Sequence, residues 1–303
     1  MSAKIGAIIV LYNPDFEGLN ISLEILLPQV ELIYLVDNSS IDNSTFIKRD
    51  DKLIYLPLLE NVGIAKAQNI GIKYLLENQF DFAIFSDQDS KACEDTVSKL
   101  YTAYRSLEDS GYKVGIVGTK AVNKESGKGY PAKSIMIGKT KVSTATREVV
   151  DLTEYYSVIS SISMISRKAL MDIGGFDESL FIDGVDHEWC WRAWHNCGFR
   201  SYVVDNAFLY HRLGEGDKKL LGRDISIPAY KRLFYQYRNY IWLCKRDYVP
   251  RYWKRKHFIK YFIKLFYYPL FISPRLNYLK NIFIGLKEGL IEKNEAIIPR
   301  FEK

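Results

Sequence analysis

Between residues 5 and 89, short apolar runs alternate with amphipathic segments, and each run ends in a polar loop. Residues 5–12 are apolar and β-branched at their centre, and stop at Asn13-Pro14-Asp15. Residues 16–28 read as a helix that Pro28 ends, and 32–36 as a buried strand closing on Asp37-Asn38-Ser39-Ser40. A third strand is expected at 53–56, a helix at 63–78, and a fourth strand at 82–85 that runs into Ser86-Asp87-Gln88-Asp89. Strands alternating with helices through short links require βαβ units, a mainly parallel sheet and right-handed crossovers. Such a sheet binds ligands beyond the carboxyl ends of its strands. That rule collects Asn13, Asp37, Asp87 and Asp89 along one rim.

Further strands and loops are expected over 115–165, a glycine-containing stretch at 172–181, a helix at 185–197 and a strand at 202–210. From Pro228 onward the pattern changes to long helical segments rich in Tyr, Phe, Trp, Lys and Arg, so two regions are expected, 1–227 and 228–303. The net charge of +6 divides unevenly: residues 228–303 hold 17 Lys+Arg against 5 Asp+Glu, while the remainder is acidic. A basic tail on an acidic body points to an anionic surface as its partner. Nucleic acid fits poorly, because no nucleic-acid motif accompanies the charge. The four cysteines form no C-x-x-C pair, and the N-terminal apolar run lacks a signal-peptide cleavage site, so a reducing cytosolic setting is expected. No run of about 20 apolar residues would span a bilayer.

Several constellations could carry chemistry, each with a plainer reading beside it. Asp87-Gln88-Asp89 at a strand end can grip a divalent cation that bridges two phosphates, or can be an acidic turn capping a helix over 91–104. Asp37 can accept from a pyrimidine N–H or form an Asx turn. Residues 60–71, ENVGIAKAQNIG, enter a helix through small residues that suit either a phosphate at the helix start or close helix–sheet packing. Gly174-Gly175-Phe176-Asp177 reads as a helix end and turn. Asp183, Asp186 and Glu188 crowd together with His187, Trp189 and Trp191, a grouping that suits a general base beside a bound sugar, although a charged helix start also explains the acids. His211, after a strand, matters only if it faces the cation rim.

Taken in order, AIIVLYNP, VDNSS, ENVGIAKAQNIGI, SDQDS, GGFDESLFIDGVDHEWCWRA, YHRLGEG and YQYRNYIWL resemble family 2 glycosyltransferases of the GT-A fold, most of all bacterial rhamnosyltransferases that build O-antigen or capsular polysaccharide. The resemblance covers roughly residues 5–240. It implies an α/β, Rossmann-like sheet flanked by helices with a C-terminal helical, basic and aromatic extension. It also implies an inverting transfer of L-rhamnose from dTDP-L-rhamnose. The donor site would draw on Leu11, Tyr12, Asn13, Asp37, Asn61, Gly63, Gln68, Asp87 and Gln88. Asp89 and His211 would hold Mg²⁺ or Mn²⁺, Asp186 would be the catalytic base with Asp183 and Glu188 as rivals, and Trp189 and Gly175 would meet the acceptor. The same machinery could instead move another sugar such as galactofuranose, or could survive in a catalytically silent nucleotide-sugar-binding or membrane scaffold protein.

The basic, aromatic stretch over 252–272 can form a helix with lysines on one side and rings on the other, which lies in the plane of a bilayer interface. It can equally pack on the catalytic body or serve a homo-oligomer. The membrane reading accords with the family's acceptors, often carried on polyprenyl diphosphate, and places the chain in the cytoplasm on the inner face of the cell membrane.

Overall fold

The computed structural model describes residues 3–123, 129–130, 134–211, 217–220, 223–292 and 295–301, with backbone alone for 123, 211, 217–220 and 223–226. Four apolar strands, β1 (Ile5–Leu11), β2 (Leu32–Asp37), β3 (Leu53–Pro57) and β4 (Phe82–Asp87), pair in parallel in the order β3-β2-β1-β4. Helices α1 (Phe16–Leu26) and α2 (Ile64–Glu77) make the crossovers. β5 (Val114–Asn123), β6 (Met136–Ser143), β7 (Val149–Tyr155), β8 (Ser163–Ser166) and β9 (Arg200–His211) extend the sheet to nine strands, continuing β4-β8-β5-β9-β7-β6. Seven of the nine run the same way and only β7 and β8 are reversed, as the expected mainly parallel sheet requires. β10 (Asp217–Leu220) and β11 (Arg223–Ser226) form a separate ribbon.

One helix starts later than its sequence pattern indicates. α3 spans Thr96–Asp109 instead of 91–104. Lys91 is drawn into a two-bond antiparallel bridge with Tyr210, and the Cys93 N–H donates to Thr96 Oγ1, so residues 91–95 are held in a non-helical turn. α4 (Arg167–Ile173) and α5 (Val185–Cys197) complete the sheet-covering helices.

The tail folds as α6 (Tyr230–Cys244), α7 (Arg251–Phe271) and α8 (Arg275–Ile291). Packing does not respect a boundary at 227/228. Trp242, Leu243, Val249 and Trp253 belong to the same core as Phe85, Phe176 and Trp189. Residues 297–301 return as a strap: Ile297 N–H donates to Asp177, Gly175 N–H to the Pro299 carbonyl, and Phe301 packs against that core. α8 crosses α6 where Gly285 and Gly289 face the Phe234 backbone and Ile241, a contact that a Cβ would block. No described helix is long and apolar enough to cross a membrane, and all four cysteines are free.

A buried ion network joins the tail to the sheet-covering helices. Glu188, 0% exposed, accepts from Arg192 at 2.8 Å and from the Tyr248 hydroxyl at 2.7 Å, with Arg246 at 3.5 Å. Arg246 also pairs with buried Asp177. Buried charges persist only when paired and hydrogen-bonded on every side. Glu188→Gln should therefore lower the unfolding free energy in urea by about 3–5 kcal/mol; a loss well below that would show that the two arginines are satisfied without the carboxylate.

Candidate active site

Three loops at the carboxyl ends of β1, β2 and β4 are stitched together by their own polar residues. Gln88 accepts from the Tyr12 N–H at 2.7 Å and returns its amide to the Tyr12 carbonyl at 3.2 Å. The Asn13 N–H, in a backbone with φ of 44°, donates to Ser39 Oγ at 2.8 Å. The Asn38 N–H donates to the Leu11 carbonyl at 2.8 Å. Leu11 itself is buried in the sheet core, so only its backbone belongs to the rim, whereas Tyr12 is 50% exposed. Asp37 is fully buried, and its carboxylate accepts from the Ser39 N–H, the Asn43 amide and the Tyr55 hydroxyl. Burial and the bond to Asp37 push the Tyr55 phenol well above its ordinary range. The expected open contact between Asp37 and a base is thus replaced by a buried brace for the 38–43 loop.

The turn into α2 joins this rim. Asn61 Oδ1 accepts from the Asn38 amide at 2.9 Å and from the Gly63 N–H at 3.0 Å. Gly63 has φ of 85°, and a Cβ there would lie 2.6 Å from the Phe181 ring. Gln68 is buried and donates to Ser160 Oγ at 3.4 Å.

The serines that feed β8 form the hub that sequence reading missed. Because β8 runs against β4, its preceding loop arrives at the same rim. Ser160 N–H donates to Asp186 Oδ2 at 3.2 Å, Ser161 Oγ meets Ser90 Oγ at 2.6 Å, and Ser157 Oγ lies 2.8 Å from His187 Nδ1. One short loop therefore links Gln68, the segment after Asp89, and the first turn of α5 that carries Asp186. The signal is the interleaving of serine with apolar residues in Ser157-Val158-Ile159-Ser160-Ser161-Ile162-Ser163, a pattern that strand and loop also explain.

The acid-rich segment separates by burial. Asp186, in the first turn of α5, is half-buried at the rim. Asp183, in a left-handed backbone at φ of 66°, is held by Arg232 through two bonds of 2.8 Å. Hydrogen bonding to Asp183 raises the Arg232 guanidinium above its ordinary range, and the charges of Asp186 and Asp87 also act on it. Glu188 is sealed in the ion network described above and cannot reach a substrate, which removes it as a rival base.

Two expected acceptor contacts are corrected. Trp189 is 0% exposed, donates its indole N–H to the Gly174 carbonyl at 2.9 Å, and packs against Phe176, so no ring face is open to a sugar. Gly175 lies against Asn69 and Phe301 with its carbonyl taken by Arg192 at 2.7 Å. Both serve packing, because a tryptophan at this point of α5 turns under the sheet and not toward the rim.

Asp87 and Asp89 offer hard oxygen donors of the kind that suit Mg²⁺ or Mn²⁺. The Lys91–Tyr210 bridge brings the segment after Asp89 beside the end of β9, where His211 sits. The His211 side chain and Arg212–Gly216 lie outside the described residues. Among the described residues no three metal-ligating side chains gather.

A mainly parallel sheet with polar and acidic residues on its carboxyl rim defines an α/β architecture that binds ligands at that rim. The chain belongs to glycosyl transferase family 2, whose model matches residues 7–174, and it is a glycosyltransferase. It is 33% identical over 261 residues to the dTDP-rhamnosyl transferase RfbF of Shigella flexneri, covering 82% of this chain and 83% of that protein. Its fold is similar to that of S. aureus TarS residues 1–349 in complex with UDP-GlcNAc (TM-score 0.55, 16% identity, 94% of this chain and 81% of that one). It is also similar to GalNAc-T7 with UDP, GalNAc and Mn²⁺ (TM-score 0.53, 13% identity, 88% of this chain), of which it spans 57%.

Gly63→Ala should destabilise the chain more than Gly111→Ala, measured by thermal unfolding. Both glycines have φ of 85°, but Gly111 has no atom within 4 Å of a built Cβ. Equal shifts would mean that the Phe181 contact at Gly63 yields without cost.

Proposed function

We propose that this chain transfers L-rhamnose from dTDP-L-rhamnose to a saccharide acceptor at the cytoplasmic face of a membrane, with inversion, in the synthesis of cell-surface polysaccharide. The donor reading is supported by the extended similarity to the dTDP-rhamnosyl transferase RfbF. The observation that carries the chemistry is the Ser160–Asp186 bond, which ties the one open acid of α5 to the donor rim.

In this reading Tyr12, Asn13, Asn61, Gly63, Gln68, Asp87 and Gln88 shape the donor site, and Asp37 serves it by fixing the loop after β2. Asp89 and His211 would hold a divalent cation, which when bound offsets charge on the leaving diphosphate. Asp186 takes the proton of an acceptor hydroxyl as that oxygen bonds to the anomeric carbon. The bond from that carbon to the diphosphate oxygen breaks, its electron pair leaves with dTDP, and one displacement inverts the centre. Asp183 is excluded from the role of base by its two-bonded pairing with Arg232.

The test is a thermal-shift screen of nucleotide sugars with Mg²⁺ or Mn²⁺, in which a donor that binds the folded state raises the melting temperature. The largest shift is expected with dTDP-L-rhamnose; a larger one with a UDP-sugar would overturn the donor assignment. Asp186→Asn should keep the ligand-linked shift and lose transfer by about 10²–10⁴-fold. Full turnover in that variant would remove Asp186 as base.

The membrane reading has its own support. Phe258, Phe262, Phe266 and Leu270 recur every four residues on α7 and, with Ile259 and Ile263, face outward, the three phenylalanines at 60%, 56% and 53% exposure. Leu276, Phe283, Ile284, Leu290 and Ile291 on α8 are exposed as well. The expected division of rings from lysines does not hold: Trp253, Tyr261 and Tyr268 turn inward to the core and the phenylalanines outward. Exposed Arg255, Lys256 and Lys260 flank this apolar face, as an anionic lipid surface requires. Replacing Phe258, Phe262 and Phe266 together by serine should cut co-sedimentation with phosphatidylglycerol-containing vesicles by about tenfold or more, since each buried apolar group contributes additively. Undiminished pelleting would dispose of the membrane reading.

A further inference from the structure

We infer that His187 is a positioning residue for Asp186. Through Ser157 it holds the 157–161 loop so that the Ser160 N–H keeps one carboxylate oxygen and the other is left for the acceptor hydroxyl. The inference rests on the reading of Asp186 as the base, and adds the group that aims it.

The loop before β8 is seated on α5 at three points. Ser157 Oγ lies 2.8 Å from His187 Nδ1, the Val158 carbonyl takes the Cys190 thiol at 3.7 Å, and the Ser160 N–H donates to Asp186 Oδ2 at 3.2 Å. Val158 also fills the space beside Gly118, where a Cβ would lie 2.4 Å from its Cγ1. A thiol is a weak donor, so the directional grip falls to Asp186 and His187. These two neighbours leave the helix about 100° apart and take the loop at both ends. Released at Ser157, the loop would keep only the Ser160 bond, the longer of the pair.

Hydrogen-bond direction fixes the ring. Ser157 gives its N–H to Ser134 Oγ at 2.9 Å and its hydroxyl hydrogen to the same oxygen at 3.0 Å. Its own oxygen is left to accept, so the hydrogen shared with the imidazole belongs to His187 Nδ1. The ring plane is set by packing: it stacks on Trp191, one turn along α5, with centroids 5.7 Å apart and 14° between planes. Trp191 is buried and meets Trp253 edge-on at 5.1 Å. The imidazole is thus held at its face by Trp191 and at its edge by Ser157. Among the described residues Asp186 makes one hydrogen bond, from the Ser160 N–H to Oδ2, and its other oxygen meets no protein donor. A group that is to take a proton needs such an oxygen. Without the Ser160 bond the carboxylate turns about its soft terminal torsion, and a displacement of about 1 Å at a reacting group can cost about 10²-fold in rate.

A ring that only fills space beside Trp191 and a ring that steers Asp186 respond oppositely to two substitutions. His187→Phe keeps the stack and removes the N–H. His187→Asn removes the ring and keeps an N–H on the atom that replaces Nδ1. Turnover of the full chain is read as dTDP released from dTDP-L-rhamnose with Mg²⁺, water standing in for the acceptor hydroxyl, and dTDP affinity is read by calorimetry. His187→Phe should lose about tenfold or more in turnover, His187→Asn should recover most of it, and dTDP affinity should change by less than about twofold in either. Ser157→Ala removes the same bond from the loop side. It should match His187→Phe, add no further loss when combined with it, and read the bond should His187→Phe fail to fold. In long-range proton–nitrogen NMR spectra, Nδ1 of His187 should carry hydrogen, and Ser157→Ala should move that hydrogen away. Turnover kept in His187→Phe and lost in His187→Asn would make His187 a packing residue and overturn the inference. Additive losses in the double variant, or an Nδ1 without hydrogen in the unaltered chain, would do the same. Asp186→Asn separates the two readings. Full turnover in that variant rejects the base itself, whereas a chain that needs Asp186 but is indifferent to Ser157→Ala and His187→Phe rejects only the positioning.

Discussion

The carboxylates of Asp177 and Glu188 lie where no water reaches, and the rest of the assembly depends on how they are matched. Arg192, from the helix that carries Glu188, meets one of them; Arg246, from the segment after α6, meets both. The Tyr248 hydroxyl, the Ile297 N–H and the N–H and hydroxyl of Ser179 add further bonds. Partners drawn from widely separated parts of the chain are thereby forced into one place, because leaving any charge unmatched in such surroundings is strongly unfavourable. The helices after residue 228 are consequently not an appendage. They set the floor of the loop that holds Asp183 and Asp186: Asn239 donates to the carbonyls of Leu180, Ile182 and Asp183, and Arg238 to those of Ser179 and Leu180.

The rim loops and the acid-bearing start of α5 then converge through short polar links. Ser39 and Gln88 tie the second and third rim loops to the first, Asn61 ties in the start of α2, and Ser160 carries the connection to Asp186. Such links fix the rim side chains before a ligand arrives, which is the condition under which preorganised groups give electrostatic help in a transition state.

Much of this was legible in the amino-acid order. The strand–helix alternation of residues 5–89 gives the parallel half of the sheet with nearly correct bounds, since apolar runs of strand length have few other uses between amphipathic helices. The helix at 185–197 also emerges as read. What could not be read was direction. Trp189 and Glu188 look like site residues by their neighbours, but a helix turns by about 100° per residue, and the same helix start sends Asp186 to the rim and Glu188 under the sheet. The partners of Asp37 were hidden for a related reason, because a carboxylate at a strand end is equally suited to a ligand and to a loop, and only Asn43 and Tyr55 decide between them. Arg232 was invisible as a site residue because it lies 49 positions from the acid it pairs with.

The stack in which Gly63 abuts Phe181, and Phe181 lies flat on Tyr235 with ring centroids 4.6 Å apart, has a mechanical corollary. The turn before α2, the loop that presents Asp183 and the first helix of the tail are thereby in direct ring-and-backbone contact, like teeth of one gear. A displacement of the helices after residue 228 would therefore be passed on to the turn before α2 and to the loop that carries Asp183, which makes the tail a lever on the spacing across the rim.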